Sequence, residues 1–164
     1  MNFRYINIMK KTRLLYMLVM ALMLTLSSCD KDETIYMTEP YIWLKSESGL
    51  SNIVVKSDVK NINTYSIILS AGQQKDNLTV NYEITVGDGL QQGVDFEIVT
   101  EGNSITFLPG IFDMPIRIKW LPHKVDPSKD NSLTIKITGN SKNYCIGMPG
   151  PDHMNSSIKI VKQN

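Results

Sequence analysis

A hydrolytic centre needs a base held beside a nucleophile. This chain has only two histidines to offer as the base. His123 lies between Pro122 and Lys124 in a stretch without apolar period, and His153 follows Asp152 near the C-terminus. No GxSxG elbow, phosphate loop or HExxH pattern occurs. Both histidines read as surface residues, and no catalytic residue is assigned. A glycosidase would need two paired carboxylates, and nothing in the pattern sets two acids apart. Cys145, Asp152 and His153 bring a thiol, a carboxylate and an imidazole onto one loop, the donor types zinc takes. Their spacing matches no standard ligand pair, so no metal and no other cofactor is expected.

The stretch with a definite chemical reading is at the N-terminus. Arg4, Lys10, Lys11 and Arg13 form a positive region, and residues 14–26, LLYMLVMALMLTL, are an apolar run of 13 residues. A spanning helix needs ~20 apolar residues, so the run reads as the core of a signal peptide over residues 1–28. Leu26-Ser27-Ser28-Cys29 then resembles a bacterial lipobox. Small side chains fit a peptidase site, and the Cys29 sulfur carries a diacylglyceryl group through a thioether. One acyl chain anchors only marginally, at about 0.8 kcal/mol per buried CH₂, whereas several chains on one cysteine hold firmly. The alternative is an ordinary signal peptide that happens to end at a cysteine.

Asp30-Lys31-Asp32-Glu33 follows as a charged tether over residues 29–35. Such runs are usually solvated. Lys31, Asp32 and Glu33 also resemble the export signal that directs lipoproteins of Bacteroidetes to the outer face of the outer membrane. The expected location is therefore the outer membrane, facing the cell exterior, with the membrane itself as a partner through Cys29. Extended at ~3.3 Å per residue, residues 30–35 reach only ~20 Å, which keeps the domain near the lipid. Asn77-Leu78-Thr79 and Asn155-Ser156-Ser157 match the N-glycosylation sequon, which a bacterial lipoprotein does not normally use.

All 16 acidic residues and 13 of the 17 basic ones lie after Ser28, leaving a net charge of −3 on the mature chain. A mildly acidic chain without a basic stripe argues against nucleic-acid binding.

Residues 36–164 read as one β domain. Val80, Tyr82, Ile84 and Val86 alternate with Asn81, Glu83 and Thr85, the period of a half-buried strand. Gly87-Asp88-Gly89 is turn chemistry, open to positive φ. Ile105 and Phe107 form a further strand, ended by Pro109-Gly110. Ile116, Ile118 and Trp120 alternate with Arg117 and Lys119. Before these, the strands begin from Ile35: Tyr41 and Trp43 alternate with Ile42 and Leu44, residues 52–56 form a strand, and Tyr65, Ile67 and Leu69 share a face. After Trp120 a loop carries two prolines, LPHKVDPSKDN; Leu133, Ile135 and Ile137 alternate; and residues 139–155 are irregular. Ile158 and Ile160, with Lys159 and Lys162, close the domain. Eight or nine short strands with such turns favour a sandwich.

The string Gly87-Asp88-Gly89-Leu90, Gly93-Val94-Asp95-Phe96, Ile105-Thr106-Phe107, Gly110 and Ile116-Arg117-Ile118 resembles the Calx-beta pattern, over roughly residues 77–138. It is more similar still to Calx-beta-like surface lipoproteins of Bacteroidetes. The resemblance implies an immunoglobulin-like antiparallel β-sandwich used as a modular, non-catalytic unit, often encoded beside glycan-uptake systems. Calx-beta domains of exchangers bind calcium through clustered loop carboxylates. Here the corresponding loop offers Asp126 and Asp130 with Lys124 and Lys129 interleaved, and competing cations disfavour a hard ion.

The expected function is a cell-surface accessory module that captures a glycan by binding alone. The alternative is a structural or adhesive module that binds a protein partner or matrix. Trp43, Trp120 and the tyrosines offer a sugar-stacking platform, although aromatics at strand period are more often core. Cys145, the only thiol left after Cys29 is acylated, reads as a small buried hydrophobe or a site of intermolecular bridging.

Overall fold

The computed structural model describes residues 39–164. The signal peptide, the tether, Cys29, Lys31, Asp32, Glu33 and the expected strand start at Ile35 lie outside the described residues.

Among the described residues ten strands follow in order: β1 (Tyr41–Ser46), β2 (Asn52–Lys56), β3 (Asn61–Ser70), β4 (Leu78–Val86), β5 (Phe96–Ile98), β6 (Ser104–Phe107), β7 (Asp113–Trp120), β8 (Ser132–Asn140), β9 (Cys145–Ile146) and β10 (Ser157–Gln163). They form two five-stranded sheets, ordered β5-β7-β3-β1-β9 and β2-β10-β8-β4-β6. The fold is all-β, a sandwich of two sheets whose inner faces meet. Alternation decides which side chains go inside, because successive Cβ atoms point to opposite faces. Ile42 and Leu44 of β1, Tyr65, Ile67 and Leu69 of β3, and Ile116, Ile118 and Trp120 of β7 are buried from the first sheet. Leu78, Val80 and Tyr82 of β4, Leu133, Ile135 and Ile137 of β8, and Ile158 and Ile160 of β10 meet them from the second.

Three details differ from the sequence expectation. Between the named strands the pairing is antiparallel except at two places: β10 runs parallel to β2, and β1 runs parallel to β9. The irregular connection after β8 contains β9, only two residues long, which adds to β1 opposite Tyr41 and Ile42. The face shared by Val80, Tyr82, Ile84 and Val86 fades along β4: Val80 and Tyr82 are buried, Ile84 is half-buried against the core, and Val86, the last residue of the strand, is exposed. Glu83 points to solvent as expected. A bulge between Asn81 and Tyr82 skips Thr138 of β8 and keeps Ile137 in phase.

The sandwich has two poles. At the proximal pole β1 begins, with Tyr41 beside Ser70 at the end of β3, Asp113 opening β7, and Leu78 of β4 paired with Phe107 of β6. At the distal pole Trp120 of β7 lies between Asn61 and Phe96, and β4 and β10 end beside the start of β8.

Candidate functional site

The distal pole carries the chemistry-bearing loops. Its turn after β4 is Gly87-Asp88-Gly89. Neither glycine has positive φ, contrary to what their turn chemistry allowed. They are needed for room: a Cβ on Gly87 would collide with the Asp130 carbonyl, and one on Gly89 with the Asn131 side chain. The Gly87 N–H donates to Ser132 O at 2.8 Å and the Gly89 N–H to Asp130 O at 3.0 Å. The turn is thus pressed onto the end of the connection between β7 and β8.

That connection is stitched down along its length. His123 N–H donates to Ser57 O at 2.9 Å, and Leu121 N–H to Asp95 O at 3.0 Å. Asn164 accepts from Val125 N–H at 3.0 Å and donates back to Val125 O at 2.9 Å.

The centre of the pole is a buried ion pair. Lys162, on β10 of the second sheet, is fully buried, and its ammonium donates to Asp95 Oδ1 at 2.9 Å. The same ammonium donates to Leu121 O at 2.9 Å and to Asp95 O at 3.3 Å. Asp95 immediately precedes β5 and Leu121 immediately follows β7, so the ammonium clasps one sheet to the other. All three of its N–H groups are used. Burial pushes the Asp95 carboxyl up. Hydrogen bonds from Lys162, from the Gln91 N–H at 2.9 Å and from His123, with the Lys162 charge, outweigh that and hold it below its ordinary value. His123 Nδ1 meets Asp95 Oδ1 at 2.9 Å while its side chain stays about half exposed. This histidine is at the surface as expected, yet tied to a buried carboxylate. No hydroxyl or thiol is hydrogen-bonded to it among the described residues, so the pair lacks a nucleophile.

The sequence reading missed the Asp95–Lys162 pair. The signal was present: Lys162 is in phase with Ile158 and Ile160, and a charge on a core phase must find a partner.

Beside the clasp, between residues 125–131 and β10, lies a groove of about 460 Å³. Its polar lining includes Lys129, Asp130, Asn131, Lys159, Gln163 and Asn164, with Lys162 at the clasp, over an apolar base of Val125, Pro127 and Val161. It offers amide and ammonium donors and carbonyl and carboxylate acceptors, the groups that satisfy a hydroxyl-rich ligand.

The other candidates sit elsewhere or are engaged. Asp126 accepts from Ser128 N–H at 2.9 Å and from Ser128 Oγ at 2.6 Å, bonds that lower its carboxyl pKa. Asp130 Oδ1 accepts from Ser132 N–H at 3.2 Å, and Asp88 Oδ1 from Asp130 N–H at 3.0 Å. These carboxylates fasten their own turns. Among the described residues no three of His, Cys, Asp and Glu come together in a way that would hold a metal ion. Cys145 is half-buried in β9, not a core residue. Its sulfur lies 3.5 Å from His153 Nδ1, without Asp152 in the group. Trp120 is fully buried, tilted against Phe96 with centroids 6.1 Å apart. It cannot stack on a sugar, and Tyr65 and Tyr82 are buried too, so the expected platform of Trp43, Trp120 and the tyrosines does not form as a whole. Trp43 is on the outer face of the first sheet, half-buried, and its indole N–H donates to Ser70 Oγ at 3.1 Å.

No protein-family model matches this chain, and no curated protein matches it. Several solved structures are similar to it, two of them CBD12 domains. One is the calcium binding domain CBD12 of CALX1.1, at 16% identity and TM-score 0.48, covering 73% of this chain and 43% of that one. The other is CBD12 from CALX1.2, at 18% identity and TM-score 0.48, covering 73% and 44%. This chain therefore spans less than half the length of either. The sandwich rests on the strand pairing described above, not on this likeness.

Proposed function

We propose that the chain is a non-catalytic surface lipoprotein, held to the outer membrane through Cys29, that captures a glycan with the loops of its distal pole. The observation that carries this reading is the polar groove beside Lys162, at the opposite end of the sandwich from the point where the N-terminal segment joins. A chain tethered at its N-terminus presents that groove outward. The groove holds several hydrogen-bonding side chains and no aromatic ring, which suits a ligand recognised by its hydroxyls more than by stacking.

A second reading is a module that binds a protein partner. It draws on β2, which ends its sheet with Val54 exposed and one edge unpaired among the described residues.

The test is a polysaccharide array probed with the purified lipoprotein in detergent. Saturable retention is expected, and Lys159→Ala combined with Gln163→Ala should weaken it about tenfold, equivalent to ~1.4 kcal/mol. Trp43→Ala should leave it unchanged. Failure to retain any sugar, with a surface protein co-purifying instead, decides for the second reading.

A further inference from the structure

The turn between β6 and β7 is apolar where turns are ordinarily polar. Residues 108–112 read Leu-Pro-Gly-Ile-Phe. Ile111 N–H donates to Leu108 O at 3.0 Å, with Pro109 and Gly110 between them and Gly110 at φ +86°. That is a type II turn with the residues its second and third positions favour. Its flanks are Leu108 at 56% exposure, Ile111 at 42% and, next in the chain, Phe112 at 37%. The turn carries the chain from the second sheet to the first at the proximal pole. It is held there by Leu69 N–H, which donates to Phe112 O at 2.9 Å. Leu69 in turn pairs with Ile42 of β1. Phe112 therefore lies about two strand spacings, ~10 Å, from the first strand of the domain.

We infer that Leu108, Ile111 and Phe112 form a second membrane contact that seats the proximal pole on the lipid surface. The inference rests on the lipid anchor at Cys29 and goes beyond it by fixing which end of the domain meets the membrane. Nine residues lie between Cys29 and Glu39. Fully extended they span at most ~33 Å, so this pole is the part of the sandwich held nearest the acyl chains. Three large apolar side chains within five residues, presented on a turn fixed by proline and a backbone hydrogen bond, can insert without further ordering. Asp113 is the one charged residue in the segment 102–116, so the turn itself offers no cation. Contact therefore comes from apolar insertion rather than attraction to anionic headgroups. The arrangement would also hold the distal groove away from the bilayer.

The test uses the complete lipidated protein reconstituted into phosphatidylcholine vesicles, with and without brominated acyl chains. Phe112→Trp and, separately, Leu108→Trp place a fluorophore on the turn at exposed positions that leave its backbone bonds intact. Val86→Trp places one on the distal pole, and the native protein supplies the baseline from Trp43 and Trp120. Both turn variants are expected to shift to shorter wavelength on vesicles and to be quenched by brominated lipid, with Val86→Trp unchanged. Vesicle flotation and acyl labelling of Cys29 read the anchor independently. Flotation without quenching at either turn position overturns the inference and leaves the anchor standing. Loss of both flotation and label overturns the anchor and the inference together. If Ile111→Asp abolishes a dimer in solution while quenching is absent, the turn serves a second copy of the chain and the inference is wrong.

Discussion

Replacing Lys162 by Met tests whether the buried ammonium holds the two sheets together at the distal pole. Methionine keeps most of the side-chain volume but removes the charge and three donors. Asp95, with its side chain only 3% exposed, would be left as a buried carboxylate that retains only Gln91 and His123. Breaking one half of a buried pair costs about 3–5 kcal/mol, a large share of the ~5–15 kcal/mol that holds a typical domain folded. The pH dependence carries the sharper sign. In the native protein Asp95 is held below its unfolded value, so its stabilisation is present above about pH 4 and is lost as pH falls through the folded value. Without Lys162 its hydrogen bond and its charge no longer lower the Asp95 carboxyl, whose folded value rises relative to the native protein. The variant's deficit against the native protein should then shrink as pH is lowered. Urea unfolding of native protein, Lys162→Met, Asp95→Asn and the double variant, each across acidic to neutral pH, gives the coupling energy. The double variant should lose much less than the two single losses added. A loss below about 1 kcal/mol for Lys162→Met at neutral pH, or the same pH profile as the native protein, would refute the clasp.

Gly87→Ala and Gly89→Ala should each destabilise by about 1–3 kcal/mol through collision with residues 130 and 131, whereas Gly72→Ala, with open space and ordinary φ, should be near neutral; urea midpoints decide. Ile135→Ala, at a fully buried position of β8, should cost about 2–5 kcal/mol and Glu83→Ala within about 0.5 kcal/mol; equal losses would contradict the strand register. Replacing Lys31, Asp32 and Glu33 together by alanine should keep the lipid but leave the protein on the periplasmic side; equal digestion of both forms by protease on intact cells would show that these charges are not the address.

Where a strand is long and its alternation regular, the sequence showed it. The faces of β3, β7 and β8 are buried as their period implies, and the proline-bearing stretch after Trp120 is a loop. What escaped notice depends on distant parts of the chain. β9 is too short to show a period and exists because β1 offers it an edge. Gly87 and Gly89 looked like residues chosen for positive φ, but their constraint is the approach of residues 130 and 131, some forty positions away. Lys162 and Lys159 share a residue type, but only Lys162 is in phase with Ile158 and Ile160. Asp95 is legible only as part of a pattern, since nothing local shows that a lysine from the last strand reaches it. Asp126 and Asp130 were legible as loop carboxylates, and only the folded turns reveal that their oxygens are engaged.

The central claim, a surface module tethered by lipid, is tested most directly at Cys29. Cells expressing the full chain are fed a labelled fatty acid, and the protein is isolated and its mass measured. The native chain should carry the label and begin at an acylated Cys29, and Cys29→Ala should be unlabelled and retain its leader. Label that persists in Cys29→Ala, or a native chain without lipid, would contradict the account.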